Sequence, residues 1–363
     1  MSEPEKIIEF LDAHKVFYKE NVDLSTESYS CTGGLTKLLV FPNDGKQLEH
    51  IIDFFSKNKI EIVIIGGTSN LLFLDFGEYE CLISTKNLTS IDYDLENRIV
   101  EVASGFELSK FVRLNLMNDS VGFDGLEGIP GTVGGAIFQN AGAYGYFISD
   151  HLISVEAIDL DGKKVILSKS DCQFKMRDSI FQNEKLYIVK AKFSLPKGDT
   201  LAAAKRIEAY HIARHSYQEW VYPNLGSVFV TDTNIYDSFS QKNKSYKFKL
   251  LALKVLVNSW LYKRVLRKFP SNKLKNSLVD KYFNLSPISE SFSHKSLNTF
   301  LNKGKGSLNI IKYYCFLDEI LGDDARLENE IVYSALSGIK NSEDKIMFDE
   351  FISKHPRIKK KLK

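Results

Sequence analysis

The sequence predicts an α+β protein of two or three domains, on three observations. A β-α-β pattern opens the chain, short strands alternate with turns from about residue 80 to 196, and 363 residues exceed what one core usually organises. Ile7, Ile8, Phe10 and Leu11 repeat at helical spacing behind Pro4, which predicts a helix over 5–14. Leu38-Leu39-Val40-Phe41 reads as a strand stopped by Pro42, and Leu48, Ile51, Ile52 and Phe55 give a helix over 46–57 one apolar face. Residues 61–65 form a short apolar run entering Gly66-Gly67, the pattern of a buried strand before a tight turn. Further strands are expected at 80–84, 90–93, 99–103, 155–159, 164–167 and 186–193, with a helix at 107–118 and a hairpin turn at Asp161-Gly162. A helix over 201–215 leads into a third region. The divisions drawn are two N-terminal subdomains, 1–85 and 86–200, a third domain over 201–345, and a C-terminal tail over 346–363, whose last residues, 357–363, read as a disordered solvated end.

Bulk charge excludes one class of partner. Lys and Arg number 48 against 46 Asp and Glu, a net charge of +2, so nucleic acid is not expected, since duplex binding needs a clearly basic face. Met1-Ser2-Glu3-Pro4-Glu5-Lys6 lacks the basic-then-apolar pattern of a secretory signal. No apolar run approaches the roughly 18–20 residues that span a bilayer, so no transmembrane segment and a cytoplasmic location are expected. Cys31, Cys81, Cys172 and Cys315 form no CxxC pair and read as free, buried thiols; no metal site is expected.

The charge is unevenly spread. Residues 238–279 contain no Asp or Glu but hold eleven basic residues: Lys242, Lys244, Lys247, Lys249, Lys254, Lys263, Arg264, Arg267, Lys268, Lys273 and Lys275. Leu250, Leu253, Leu256, Val257, Trp260, Leu261 and Val265 recur among them at helical spacing, which predicts a basic amphipathic helical insertion. Two readings stay open: a helix packed on the third domain with a solvated basic face, or a peripheral contact for an anionic membrane or acidic partner.

The densest chemical signal is Gly128-Ile129-Pro130-Gly131-Thr132-Val133-Gly134-Gly135-Ala136, continuing into Gln139-Asn140-Ala141-Gly142-Ala143-Tyr144-Gly145. Glycine allows sharp turns and brings backbone N–H groups against a ligand, and successive N–H groups make a concavity for phosphate oxygens. Ile65-Gly66-Gly67-Thr68-Ser69-Asn70-Leu71-Leu72 offers a second such turn. Neither is a GxGxxG or a Walker A motif. Two glycine turns in separate subdomains suggest one extended, diphosphate-containing cofactor between them.

These two segments together resemble the UDP-N-acetylenolpyruvoylglucosamine reductase family, and Arg177-Asp178-Ser179-Ile180-Phe181 extends the match. The resemblance is dense over 33–195, thinner to about 230 and patchy afterwards. It implies a two-subdomain FAD-binding fold of the vanillyl-alcohol-oxidase type with a C-terminal α+β substrate domain. FAD would be held, without a covalent link, by Gly66, Gly67, Thr68, Ser69, Asn70 and Leu71 and by Gly128, Ile129, Pro130, Gly131, Thr132, Gly134, Gly135, Asn140, Ala141, Gly142, Ala143 and Tyr144. In the family NADPH reduces the flavin, the enolpyruvyl nucleotide sugar then takes the same site, and hydride passes from flavin N5 to its alkene. A serine protonates the adjacent carbon, giving UDP-N-acetylmuramate for peptidoglycan. The match assigns the serine to Ser227, in Leu225-Gly226-Ser227-Val228-Phe229, the cation beside the enolate to Arg177, and a carboxylate partner to Glu330, in Leu327-Glu328-Asn329-Glu330-Ile331.

The chain departs from the family pattern on the substrate side. Met176 stands where Tyr is usual, Val332 where Arg is usual, Val230-Thr231-Asp232 replaces Lys-Asn-Pro, and Ser28-Tyr29 replaces Asn-Thr. An alternative is therefore a flavoenzyme for another nucleotide sugar of a surface polysaccharide, and an alternative of different class is a non-catalytic flavin-binding scaffold. Arg177 could simply pair with Asp178, Ser227 could be a turn residue, and Glu330 could belong to a solvated acidic stretch with Asp323, Asp324 and Glu328. His211 and His215 have the spacing of a metal pair but lack a third ligand, so a structural or substrate-phosphate contact is expected. Tyr217, Trp220 and Tyr222 fit a nucleotide pocket or core packing equally.

Overall fold

The computed structural model describes residues 3–259, 271–293, 295–322, 325–333, 336–339 and 342–362. Trp260, Leu261, Lys263, Arg264, Val265, Arg267 and Lys268 of the basic segment, and Asp323 and Asp324, lie outside the described residues. The fold is α+β and divides into two compact units. Unit 1 comprises Met1–Val22, Leu35–Thr68 and Glu78–Ala213; unit 2 comprises Asp23–Gly34, Ser69–Gly77 and Arg214–Lys363.

Unit 1 has two cores. The first lies between helices α1 (Glu3–Ala13) and α3 (Gly45–Lys57) and strands β1 (Phe17–Asp23), β2 (Leu35–Phe41), β3 (Ile64–Ile65) and β5 (Gly77–Ser84). Asp44 starts α3 by accepting from the N–H groups of Lys46 and Gln47, and Leu48, Ile51, Ile52 and Phe55 form its buried face as their spacing predicts. β2 and β3 both pair with β5 in parallel, with Val40 and Ile64 opposite Ile83. The strand expected over 61–65 is shorter than its apolar run, although Val63 still accepts from Ile83 N–H at 2.9 Å.

The second core lies under an antiparallel sheet in the order β11-β10-β12-β7-β6, comprising β6 (Ile91–Asp94), β7 (Ile99–Ala103), β10 (Leu152–Ile158), β11 (Lys164–Ser168) and β12 (Tyr187–Ser194). Asp161-Gly162 is the turn between β10 and β11; Gly162 takes φ +74°, and Asp159 accepts from the N–H groups of Asp161 and Lys163. Phe111 on α4 (Leu108–Met117) stacks edge-on to Phe123 at 5.4 Å and near Phe193 at 5.2 Å, all three buried. Unit 1 also holds α5 (Val133–Phe138), the short pair β8 (Gly142–Ala143) and β9 (Tyr146–Phe147), and most of α6 (Thr200–Tyr217).

Unit 2 is mainly helical: α2 (Leu24–Glu27), α7 (Ile235–Lys242), α8 (Lys244–Asn258), α9 (Ser271–Phe283), α10 (Gly306–Leu321), α11 (Ser342–Lys354) and α12 (Pro356–Lys359). Its short strands are β4 (Leu71–Phe73), parallel to β15 (Glu330–Val332), and β13 (Phe229–Val230), antiparallel to β14 (Arg326–Leu327). Phe73, Phe229, Phe239, Tyr246, Phe300, Tyr313 and Tyr314 are the largest fully buried side chains among its described residues. Where the sequence suggests one basic helical insertion, the described part is three helices, α7, α8 and α9.

Two expectations are corrected. The C-terminal stretch is not a solvated tail: Ile358 is fully buried, Ile331 N–H donates to Lys361 O at 3.0 Å, and His355 and Arg357 both reach Asp318 at 2.8 Å. Its lysines conceal a single apolar anchor in the sequence. Among the four thiols, Cys31 is exposed rather than buried, on a turn at φ +51°.

Candidate active site

The two glycine turns lie against each other inside unit 1. A Cβ on Gly67 would stand 2.6 Å from Gly131 Cα, and one on Gly66 would stand 2.7 Å from Thr132 Oγ1. Only glycine permits that approach, since real carbon contacts lie near 3.5–4.0 Å. Gly134 is pressed in the same way on Ser104, 2.6 Å from its Cβ. Val133 and Gly134 N–H donate to Phe106 O at 2.8 Å and Ser104 O at 2.7 Å, which ties the second turn to the segment that follows β7. Among the described residues no protein acceptor takes the N–H groups of Gly66, Gly67, Gly131 or Thr132. The donors left at the junction of the turns therefore suit an oxygen-rich ligand.

Left-handed backbone concentrates on the same residues. Thr68 (φ +56°), Asn140 (+42°), Tyr144 (+55°) and Arg177 (+54°) adopt it without being glycine, beside Gly128 (+79°) and Gly131 (+113°). Such conformations cost of order 1–3 kcal/mol each and persist where surrounding structure imposes them, often at ligand sites.

Arg177 sits at the tip of a two-residue turn closed by Lys175 and Asp178, which exchange backbone hydrogen bonds at 3.0 and 3.2 Å. Its guanidinium donates to Gly142 O at 2.9 Å, and Asn140 Nδ2 donates to Lys175 O at 2.9 Å. The Asn140–Tyr144 segment and the arginine turn are thus one assembly. Gln182 Nε2 bridges it, donating to Arg177 O and Phe138 O at 3.1 Å each. Asn140 Oδ1 is buried without a hydrogen-bond partner among the described residues.

Sequence reasoning missed two buried acids beneath the second turn. Glu127 meets His211 Nε2 and accepts from Arg113 Nε at 2.9 Å, while Asp124 accepts from Arg206 Nε at 2.8 Å. Both carboxylates are nearly inaccessible, and buried charges persist when paired. Arg206, His211 and Tyr210, whose ring stacks on Tyr144 at 4.1 Å, fasten α6 to the turn. The position of both acids within four residues of Gly128 is the signal that could have found them. His211 and His215 do not share a site: His215 stacks on Trp220 at 4.5 Å. No cluster of three metal-binding side chains occurs among the described residues.

The chain passes into unit 2 between Thr68 and Ser69, so the first glycine segment is divided. In unit 2 the organising residue is Asn329, fully buried. Its amide donates to Asn70 Oδ1 at 2.9 Å, Leu225 O at 3.2 Å and Ser227 O at 3.3 Å, and its Oδ1 accepts from Tyr314 at 2.9 Å. Asn70 in turn donates to Glu328 O at 3.0 Å and accepts from Glu330 N–H at 3.0 Å. Asn70, the Ser227 loop and the Glu330 strand are thereby joined. Ser227 itself is exposed, next to Gly226 at φ +72°, whose N–H is capped by Asn224 Oδ1 at 3.0 Å. Glu330 is buried, not part of a solvated acidic stretch. Tyr217, Trp220 and Tyr222 are 40–51% exposed, which rules out core packing for them.

These residues fit a flavin dinucleotide: turns whose close approach a Cβ would block, N–H groups without protein acceptors, and the orphaned Asn140 carbonyl. A family model described as an FAD binding domain matches residues 36–168. UDP-N-acetylenolpyruvoylglucosamine reductase of Lactococcus lactis subsp. cremoris is 33% identical over 211 residues, 58% of this chain and 70% of that protein. The Streptococcus pneumoniae reductase of the same name is 32% identical over 229 residues, 63% of this chain and 75% of that protein. The crystal structure of UDP-N-acetylenolpyruvylglucosamine reductase from Thermus caldophilus superposes with a TM-score of 0.62 at 20% identity, covering 87% of this chain and 99% of that one.

Proposed function

This chain belongs to the UDP-N-acetylenolpyruvoylglucosamine reductase family, and from that premise we propose that it reduces UDP-N-acetylglucosamine-enolpyruvate to UDP-N-acetylmuramate, a peptidoglycan precursor, with FAD and NADPH. The observation that carries the reading is the apposition of the Gly66-Gly67 and Gly131-Thr132 turns, with backbone donors at their junction. Bound FAD supplies a hydride carrier between NADPH and the enolpyruvyl alkene.

The chain's own residues meet the remaining demands. Gly66, Gly67, Gly131 and Thr132 N–H groups hold the diphosphate. Arg177, a permanent cation on a turn braced by Gly142 and Gln182, stabilises the negative charge that develops beside the substrate carboxylate. Ser227 Oγ–H gives its proton to the adjacent carbon; its exposure leaves the hydroxyl accessible while Asn329 clamps the loop from behind. Glu330 serves as the carboxylate partner of this step. Among the described residues no helix is long and apolar enough to cross a membrane, and we place the reaction in the cytoplasm.

One observation favours a second reading, reduction of a different nucleotide sugar. Val332, where the family resemblance implies arginine, is buried and paired with Phe73 across β4 and β15, so an apolar contact replaces a cation there. Anaerobic absorbance of the flavin band separates the two. NADPH should bleach it, and UDP-N-acetylglucosamine-enolpyruvate should restore it. Bleaching that persists after this sugar supports the second reading, and a band that NADPH never bleaches overturns both.

A further inference from the structure

Helix α8 has two apolar faces. Tyr246 and Leu250 point into the core of unit 2, where Tyr246 lies 6.2 Å from the ring of Tyr282 and 5.5 Å from that of Phe283. On the opposite side Phe248 is 71% exposed, Leu251 60% and Val255 67%, at i, i+3 and i+7, with Leu256 at 46% beside them. Isolated exposed apolar side chains need no explanation, but a continuous stripe along a helix does. A helix apolar on two sides belongs between two apolar layers. The core supplies one.

The flanking charges identify the other. Lys247 and Lys254 run along one shoulder of the stripe and Lys249 along the other, all exposed. Lys254 also pairs with Asp237 at 2.8 Å. The eleven basic residues of 238–279 exceed the whole chain's net charge of +2, so the remainder is acidic and the basicity is local. A convex apolar ridge with lysines on both sides matches an interfacial helix: its apolar side chains enter the acyl boundary while lysine stems reach the headgroups. A protein groove would need an acidic rim on both sides of an apolar channel. A bilayer with anionic headgroups offers that arrangement everywhere.

We propose that α8 docks this protein peripherally on anionic lipid surfaces through Phe248, Leu251 and Val255, with Lys247, Lys249 and Lys254 engaging the headgroups. The inference does not depend on the substrate. The test is co-sedimentation of the full chain with vesicles of phosphatidylcholine alone or mixed with phosphatidylglycerol. Binding is expected only to the mixed vesicles and should weaken as salt is raised. Lys247→Glu with Lys249→Glu should lower affinity by about five-fold or more for each lysine lost. Phe248→Ser with Leu251→Ser should lower it roughly ten-fold or more. Both double variants should keep the parent melting temperature and NADPH-dependent bleaching, since all four side chains are exposed. Absence of binding to mixed vesicles overturns the proposal, as does binding untouched by the serine pair. A salt-independent dimer of the parent chain that the serine pair dissociates also overturns it, because the stripe would then cover a second copy.

Discussion

Replacing Gly67 with alanine puts one methyl group where the two glycine turns meet. Its Cβ would lie 2.6 Å from Gly131 Cα, 3.2 Å from Gly131 C and 3.5 Å from Thr132 N. All three are backbone atoms that cannot swing aside as a long side chain could. Normal carbon contact near 3.5–4.0 Å requires the turns to part by about 1 Å. Overpacking of this kind costs about 1–3 kcal/mol, and for a unit of this size each 1 kcal/mol lowers Tm by roughly 2–4 °C. The same movement spreads the N–H groups assigned to the diphosphate, so FAD affinity should fall about ten-fold or more, the equivalent of ~1.4 kcal/mol. Thermal melting of the apo chain and titration of FAD by fluorescence quenching measure the two effects separately. Gly135→Ala is the internal control for stability. Its Cβ would stand 3.5 Å from Thr132 Oγ1, an ordinary contact, and within α5 alanine gains up to ~1 kcal/mol over glycine. A Gly67→Ala chain that melts and binds FAD like the parent would refute the apposition of the turns and with it the cofactor site.

Three further outcomes are expected. Ser227→Ala should slow return of the flavin band by ~10²–10⁴-fold while leaving bleaching by NADPH unchanged; equal losses in both halves would show that the serine positions the flavin instead. Asn329→Leu leaves the Tyr314 hydroxyl and the Asn70, Leu225 and Ser227 oxygens unmatched, and urea unfolding should report a loss of about 2–4 kcal/mol at unchanged m-value. A loss within ~0.5 kcal/mol, ordinary for a surface substitution, would remove Asn329 from its central role. Iodoacetamide should modify Cys31 alone in the native chain. Burial pushes the Cys172 and Cys315 thiols up to about 12 and the Cys81 thiol higher still, so they stay protonated and shielded. A second adduct before unfolding contradicts that burial.

Unit 1 was largely legible because its elements carry local signals. The α3 stripe, the Asp161-Gly162 turn and the alternating strands around it all state their structure within a few residues. The glycine turns were legible for a related reason, since backbone that must approach backbone leaves a compositional mark. The buried pairs Glu127–His211 and Asp124–Arg206 were not, because each joins residues more than 80 positions apart and an isolated acid in a sequence looks solvated. Asn329 was invisible for the same reason: it acts through partners at 70, 225, 227 and 314. The lysine-rich C-terminus misled because Ile358, one buried residue among many charges, decides where it packs.

The candidate residues of the two units also differ in what they demand, and this bears on where the chain is free to vary. On the flavin side the requirements fall on the main chain: close approach at Gly67 and Gly134, left-handed φ at Thr68, Asn140, Tyr144 and Arg177, and N–H groups at the turn junction. Few residue types satisfy them, so the motif survives as spelled. In unit 2 the requirements fall on side chains linked through Asn70 and Asn329, and a side-chain contact can be replaced by another of equal fit. Val332 illustrates this: once buried against the β4–β15 pair it is satisfied without a counter-ion, whereas a cation there would need one. The departures from the family pattern at Met176, Val230-Thr231-Asp232 and Val332 all fall outside the two glycine turns and leave the backbone cradle intact. Substrate choice can drift on this fold while flavin binding persists, and for that reason the return of the flavin band, rather than its bleaching, is the measurement that identifies the sugar.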